Sequence, residues 1–439
     1  MSFFASLKHP SMVIAWALGL MAGNPSATFA ADNKGPVLSG AGWAQFGMIG
    51  NSTDTAQGKK LNGRSMIQSG SQVGLEYEAS DKFKVQAGLG AVMNHFLSVS
   101  AEKSGGYSQI NISPYVAEAN FTYSAWDEDA TKLSFRGGFF PYDYAPDAQN
   151  LGLYLLRGPV YPGYVMSGFE TKYVMPVANV LGFQVHHQAG SFQHDLLFNI
   201  ESDYYPYYDI SPAYIANYQF GSALRIGGGA NLYHLISVDN RITDDKKIHY
   251  VDTLTKDTTV IPFRGIKLMA DFSLDIKALM GGQGNFGPED MKLYGEAALL
   301  GLDNGKAYKA LYGSYAHRMP MMAGFNIPMF KILDRLALEV EYYGATFKDD
   351  LVNYNHTSGS YPVPFPVADT VKYTKDDVKW SLYGSKVLIN HIKLSFQVAS
   401  DHFRPGIFNG YGDNNPPGSE AVLLSPKEWY WETKMAFFF

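Results

Sequence analysis

The feature that most constrains this chain is an alternation of apolar and polar side chains that recurs along most of its length. In residues 72–79 it is at its clearest, where Val73, Leu75, Tyr77 and Ala79 alternate with Gln72, Gly74, Glu76 and Glu78. A β-strand turns successive side chains to opposite faces, so such a segment has one apolar and one polar surface. The pattern predicts a chain built of strands that each touch two different solvents.

Alternating segments of this kind recur throughout the sequence. They lie near 37–49, 71–80, 83–96, 114–125, 131–140, 166–175, 181–188, 193–202, 212–220, 223–236, 263–275, 291–300, 321–328, 335–346, 377–388, 391–402 and 428–439. Single-chain bacterial barrels have even strand numbers, so one of these segments is not a separate strand. The doubtful stretch is 166–188, and merging it leaves about 16 strands, with 14 or 18 as alternatives.

A soluble sandwich also alternates, but two features favour a membrane barrel. Short turns near 80–82, 126–130, 188–192, 221–223 and 389–391 interleave with long polar loops, as in outer-membrane barrels. Composition agrees, because aromatic residues make up 15% of the chain and charged residues only 17%, against about 25% in soluble domains. We therefore expect an all-β fold, a transmembrane up-and-down antiparallel β-barrel. Residues 276–290 fit no turn or strand in this scheme.

The spanning sheet must close on itself, because no backbone group that faces lipid can go unpaired. A barrel of 16 to 18 strands is wide enough to leave a water-filled lumen. Residues 1–30 read as a secretory signal, with Lys8 before the apolar run 12–22 and small residues before a cleavage site after Ala30. We expect residues 31–439 to form one barrel domain with long external loops.

The last strand carries a second signal. Trp429, Trp431, Met435, Phe437 and Phe439 share one face, and the chain ends on Phe. This ending resembles the carboxy-terminal signature of bacterial outer-membrane proteins. The resemblance implies that the barrel assembly machinery recognises the strand ending at Phe439, and that the protein resides in the outer membrane of a Gram-negative bacterium.

Residues that could line the passage follow from the alternation, because selectivity in a channel comes from side chains that face the lumen. The polar positions of the alternating strands would all face the lumen. They place ten charged residues on the inner wall: Glu76, Glu78, Glu118, Lys84, Lys132, Arg136, Lys267, Asp271, Glu339 and Glu341. A water-filled lumen is polar in any case, so for any one of these charges the favoured interpretation is solvated wall, and a selectivity filter is the alternative.

The connection from Pro141 to Val165 is the strongest candidate for a constriction. It is the third external connection, and it carries Asp143, Asp147 and Arg157 around an apolar core at 151–156. In general porins, which this chain resembles, the third external loop folds into the lumen and sets acidic residues against a basic wall. Packing over the barrel rim is the alternative.

The expected function is a porin for passive diffusion of ions and small polar solutes. Alternatives are a substrate-specific channel or surface-binding barrel for saccharides or fatty acids and, with less support, a barrel enzyme. No spacing suits a zinc site and no Gly-x-Ser-x-Gly elbow appears, so we expect neither enzyme activity, metal nor cofactor. The net charge of −6 argues against a nucleic-acid partner. Expected partners are outer-membrane lipid and small solutes, and the resemblance to porins implies a homotrimer.

Overall fold

A computed structural model describes most of the chain. The described residues are 35–52, 55–56, 59–60, 62–63, 65–96, 110–128, 130–156, 178–201, 208–238, 248–251, 256, 258–261, 264–281, 284–302, 314–344, 377–389, 391–401 and 425–439. The predicted signal segment 1–30, Arg157 and the predicted strand 166–175 lie outside them.

The described chain forms one closed antiparallel barrel of 16 strands. In chain order, β1 to β16 are Val37–Asn51, Ser65–Ser80, Phe83–Phe96, Ile110–Glu128, Thr131–Tyr142, Ala178–Ala189, Phe192–Ile200, Ile210–Phe220, Leu224–Tyr233, Gly265–Asp275, Lys292–Leu299, Met321–Asn326, Arg335–Tyr342, Val378–Leu388, Ile392–Ser400 and Trp429–Phe438. Each strand pairs with its neighbours in sequence. The barrel closes where β1 pairs with both β2 and β16, and Trp43 lies between Gly70 and Ala436.

The predicted fold class and strand number are thereby confirmed. Within the doubtful stretch 166–188, the described residues form one strand of the barrel, β6, which begins at Ala178. The unplaced residues 276–290 form a short helix, α1 (Ile276–Leu279), followed by a turn that joins β10 to β11. Two short hairpins, Thr55–Ala56 with Lys59–Lys60 and Ile248–Val251 with Thr258–Ile261, lie outside the barrel sheet, and residues 315–318 form a 3-10 helix.

The two faces of the sheet are reversed relative to a soluble protein. On β13, Leu338, Val340 and Tyr342 are exposed, whereas Glu339 and Glu341 are each 1% exposed. On β10, Leu268 and Phe272 are exposed, whereas Lys267, Asp271 and Ser273 are buried. An exposed apolar face over a polar interior is the arrangement of a barrel surrounded by lipid. Among the described residues, no helix is both long and apolar enough to cross a bilayer.

Candidate functional site

Residues 143–156, here called the inward loop, follow β5 directly and lie inside the barrel. Their polar contacts go to side chains of the inward parity on β9, β10, β11 and β13, such as Asn231, Ser273, Glu296 and Glu339. Because these side chains face the lumen, the segment that holds them must lie there too. The fold therefore places this part of the predicted constriction inside the lumen, not over the rim.

Glu339 holds the middle of the inward loop. Its carboxylate accepts hydrogen bonds from the backbone N–H groups of Gln149, Asn150 and Leu151 at 2.6, 2.9 and 2.9 Å. The hydroxyl of Tyr294 on β11 donates a further bond at 2.9 Å. Hydrogen bonds to an ionised acceptor are stronger than neutral ones, so this one side chain fixes three successive loop residues.

Glu296 on β11 holds the next turn of the loop in the same way. It accepts hydrogen bonds from the N–H groups of Leu153 and Tyr154 at 2.7 and 2.8 Å, and from the hydroxyl of Tyr144 at 2.7 Å. Gly152 and Leu153 have φ angles of +89° and +58°. This left-handed backbone turns successive amides towards one point, which forms a concave site for an anion. The wall carboxylate is the anion that fills it.

Apolar side chains of the inward loop also pack against the barrel wall around these hydrogen bonds. Leu151, Tyr154 and Leu155 are at most 1% exposed and belong to a cluster shared with the barrel wall. The wall contributes apolar side chains from β7 to β12, namely Leu197, Ala213, Ile215, Met269, Tyr294, Ala298 and Met322. Water is excluded from this side of the lumen. Hydrogen bonds are electrostatically stronger in such surroundings, and an unpaired polar group costs more there.

Two cations on the wall complete the attachment. Lys267 on β10 donates to the carbonyl of Tyr154 at 3.2 Å, while the hydroxyl of Tyr154 donates to Glu341 at 2.7 Å. Nearer the start of the loop, Arg225 donates to the carbonyl of Tyr144 at 3.1 Å and pairs with Asp271 at 2.9 Å. The predicted wall charges at positions 267, 271, 339 and 341 are thus buried beneath the loop, and none of them is solvated wall.

Asp147 is the acidic loop residue that meets a basic wall side chain. It accepts hydrogen bonds from the hydroxyl of Ser273 at 2.6 Å and from Lys292 at 3.0 Å. Burial opposes ionisation, but the Ser273 bond and the Lys292 charge outweigh it, so the pKa of Asp147 lies below its ordinary value. Asp143 is exposed and accepts a local hydrogen bond from the N–H of Ala145.

Asp147 thus lies against a basic wall residue, Lys292, whereas the main attachment of the loop has a different arrangement. At Glu296 and Glu339, by contrast, the wall supplies the carboxylates and the loop supplies the backbone N–H groups. Glu296, Tyr294 and Lys292 were not predicted as site residues. They lie at alternate positions of β11, with Leu293 and Gly295 between them, so the same alternation rule could have found them.

On the opposite side of the lumen, on β2 to β5, none of the described loop residues covers the wall in this way. There Lys84 pairs with Glu76 at 3.0 Å, and these side chains are 36% and 34% exposed. Arg136 lies 3.9 Å from Glu118, with both side chains about a quarter exposed. The charged groups of this region are partly exposed and paired with the opposite sign.

The other two predicted lining residues lie near strand ends. Lys132 pairs with Asp127 at 3.3 Å beside the turn between β4 and β5. Glu78 is exposed, close to the turn between β2 and β3. The structure brings Glu76, Glu118, Lys84 and Arg136 together on one wall and leaves Glu78 and Lys132 at its margin.

The chain forms a closed antiparallel β-barrel. No protein-family model and no curated protein sequence matches it. Among solved structures, it is similar to OmpF of Salmonella typhi in complex with daunomycin, with 10% identity, a TM-score of 0.47, and 92% of this chain and 97% of OmpF covered. It is also similar to a triple mutant of the Rhodopseudomonas blastica porin, with 10% identity, a TM-score of 0.45, and 92% and 100% covered.

Proposed function

We propose that this protein is an outer-membrane porin that passes ions and small polar solutes by passive diffusion. The observation that carries the proposal is the division of the lumen. One side is dry and filled by the inward loop, and the other is lined by hydrated charge pairs. An exposed apolar outer face fits a lipid surrounding, and the filled side limits the passage to small solutes.

In this proposal the selectivity residues are Glu76, Lys84, Glu118 and Arg136. Both signs are present in equal number, and each charge has an opposite neighbour, so the expected ion selectivity is weak. Asp143 and Arg157 would add charges at the edge of the inward loop, while Glu78 and Lys132 would act at the margin of the passage.

The same proposal includes the route to the membrane. Residues 1–30 would direct export and be removed, and the barrel assembly machinery would recognise the final strand ending at Phe439. The protein would assemble as a homotrimer in the outer membrane and act as a channel, with no catalytic activity. Mass determination of the purified protein, on intact trimers and on denatured chains, tests the assembly and the cleavage after Ala30.

Conductance in planar lipid bilayers tests the function. Purified protein is expected to give stable single-channel openings whose current is proportional to voltage and weakly selective. Openings that saccharides or fatty acids block at low concentration would favour a substrate-specific channel. Hydrolysis of lipid or peptide without any conductance would favour a barrel enzyme. Either result would overturn the proposal.

A further inference from the structure

The outer face of the barrel carries one pair of polar rings that the proposed channel does not use. His187 on β6 and His194 on β7 are direct cross-strand partners. Their side chains lie on the outer face of the sheet, as do those of the exposed Phe183 and Phe198. Both lie close to the turn at Gly190, where the apolar band of a barrel meets the lipid headgroups.

The two imidazoles approach each other closely. Nδ1 of His187 lies 2.8 Å from Nε2 of His194, and the ring planes are nearly perpendicular, at 88°. Phe192 stacks on His194 at 5.1 Å, and the ring of Tyr214 lies 5.6 Å away. The pair is therefore held in place by strand pairing below it and by aromatic rings at its sides.

This spacing suits two nitrogens that share one metal ion. Metal–nitrogen bonds to histidine are about 2.0–2.1 Å long, so nitrogens at a right angle around one ion lie about 2.9 Å apart. To bind one ion, the two rings would rotate so that both lone pairs point away from the other nitrogen and at one point on the lipid side. The alternative is a hydrogen bond between two neutral rings, in which one ring donates and the other accepts.

We propose that His187 and His194 form a two-nitrogen site for a first-row transition-metal dication, with Cu²⁺ bound more tightly than Ni²⁺ or Zn²⁺. Imidazole nitrogens bind all three of these ions, and Cu²⁺ has the highest affinity among them. Cu²⁺ also favours a tetragonal geometry, in which neighbouring nitrogen ligands lie at right angles. Among the described residues there is no group of three or more His, Cys, Asp or Glu side chains that could hold a metal. Water or phosphate oxygens of the lipid headgroups would occupy the remaining positions.

The test uses the full chain without a histidine tag, folded in phosphate-free detergent micelles and titrated with Cu²⁺. Calorimetry should give one tight site per chain, and the electron paramagnetic resonance spectrum should show coupling to two nitrogens. His194→Ala and His187→Ala should each weaken binding by at least about tenfold, because each removes one of the two ligands. Acidification should also weaken binding, because protons compete for the same nitrogens.

The matched control is His186→Gln, which changes the adjacent residue on the opposite face, where His186 bonds Asp195 at 2.8 Å. This variant should bind Cu²⁺ as the unchanged protein does. Far-UV circular dichroism confirms that each variant is folded. The proposal is overturned if no site fills at micromolar Cu²⁺, if His194→Ala binds as before, or if His186→Gln abolishes binding.

Discussion

The two sides of the lumen follow the same alternation of apolar and polar residues, but their inward carboxylates have different roles. On the covered wall, formed by the inner faces of β9 to β13, Glu296 and Glu339 are buried and hold backbone amides of the inward loop. On the open wall, formed by the inner faces of β2 to β5, Glu76 and Glu118 are partly exposed and face cations. This difference shows that a residue's place in the alternation along a strand determines only which way its carboxylate points. The segment packed against it decides whether it acts as an anchor or as a hydrated charge.

The largest effect should come from removing both anchors. The Glu296→Ala, Glu339→Ala double variant leaves five loop N–H groups, three buried and two partly buried, without their acceptors, and each buried unsatisfied group costs about 1–3 kcal/mol. The inward loop should detach, and single-channel conductance in planar bilayers should rise and become noisy.

The matched control for the anchors is the Glu76→Ala, Glu118→Ala double variant on the open wall. It removes the same two groups from a hydrated region, so it should shift ion selectivity and leave the current steady. Equal conductance changes in both double variants would contradict the different roles assigned to the two walls.

A smaller effect is expected from Tyr154→Phe, which removes the buried hydroxyl that donates to Glu341 at 2.7 Å. The free energy of unfolding should fall by about 1–3 kcal/mol, because a buried acceptor loses a partner. Urea unfolding of the barrel in micelles measures it. Tyr77→Phe on the outer face of β2 is the control and should cost less than about 0.5 kcal/mol.

Arg136→Gln on the open wall should change selectivity and leave stability within about 1 kcal/mol. Loss of this positive charge should raise the preference for cations, which the reversal potential across a KCl gradient measures. The shift should shrink near 1 M salt, where charges are screened within about 3 Å. Glu118→Gln should shift the potential in the opposite direction, and a common direction for both would contradict the assignment.

The smallest effect concerns pH and Asp147. Its pKa is lower in the folded protein than its ordinary value, so its stabilising contribution is present above about pH 4 and is lost as pH falls through the lowered pKa. Asp147→Asn should therefore lower the free energy of unfolding most at neutral pH and progressively less in acid. The measurement is the difference in unfolding free energy between the two proteins across pH. A difference that grows in acid would have the wrong sign.

Most of the fold could be predicted because a strand in lipid has little freedom. Its side chains must alternate and its edges must be paired, so segments such as 72–79 and 335–342 predicted both their strands and their inward faces. Strand bounds were less certain where no turn residue marked them, as at Ala178, the start of β6. The helix α1 was missed because a four-residue helix in a connection leaves no periodic signal.

The candidate site could be predicted only in part. Position and composition pointed to the inward loop, and parity pointed to Glu339 and Glu341. Which wall the loop would cover depended on contacts between residues more than 140 positions apart, such as Leu153 with Glu296. Alternation within a strand carries no information about such contacts, so the sequence could not separate buried anchors from hydrated wall.

Accessibility of single cysteines from the lumen tests the central claim most directly, because the chain contains no cysteine of its own. Ser134→Cys lies on the inner face of β5 beside the open passage. Ser381→Cys lies on the inner face of β14 opposite Glu339, where the serine is 1% exposed. A charged thiol reagent added during bilayer recording should lower the current stepwise for Ser134→Cys and leave Ser381→Cys unchanged. An equal response of both variants, or a response of Ser381→Cys alone, would contradict a lumen that is filled on one side and open on the other.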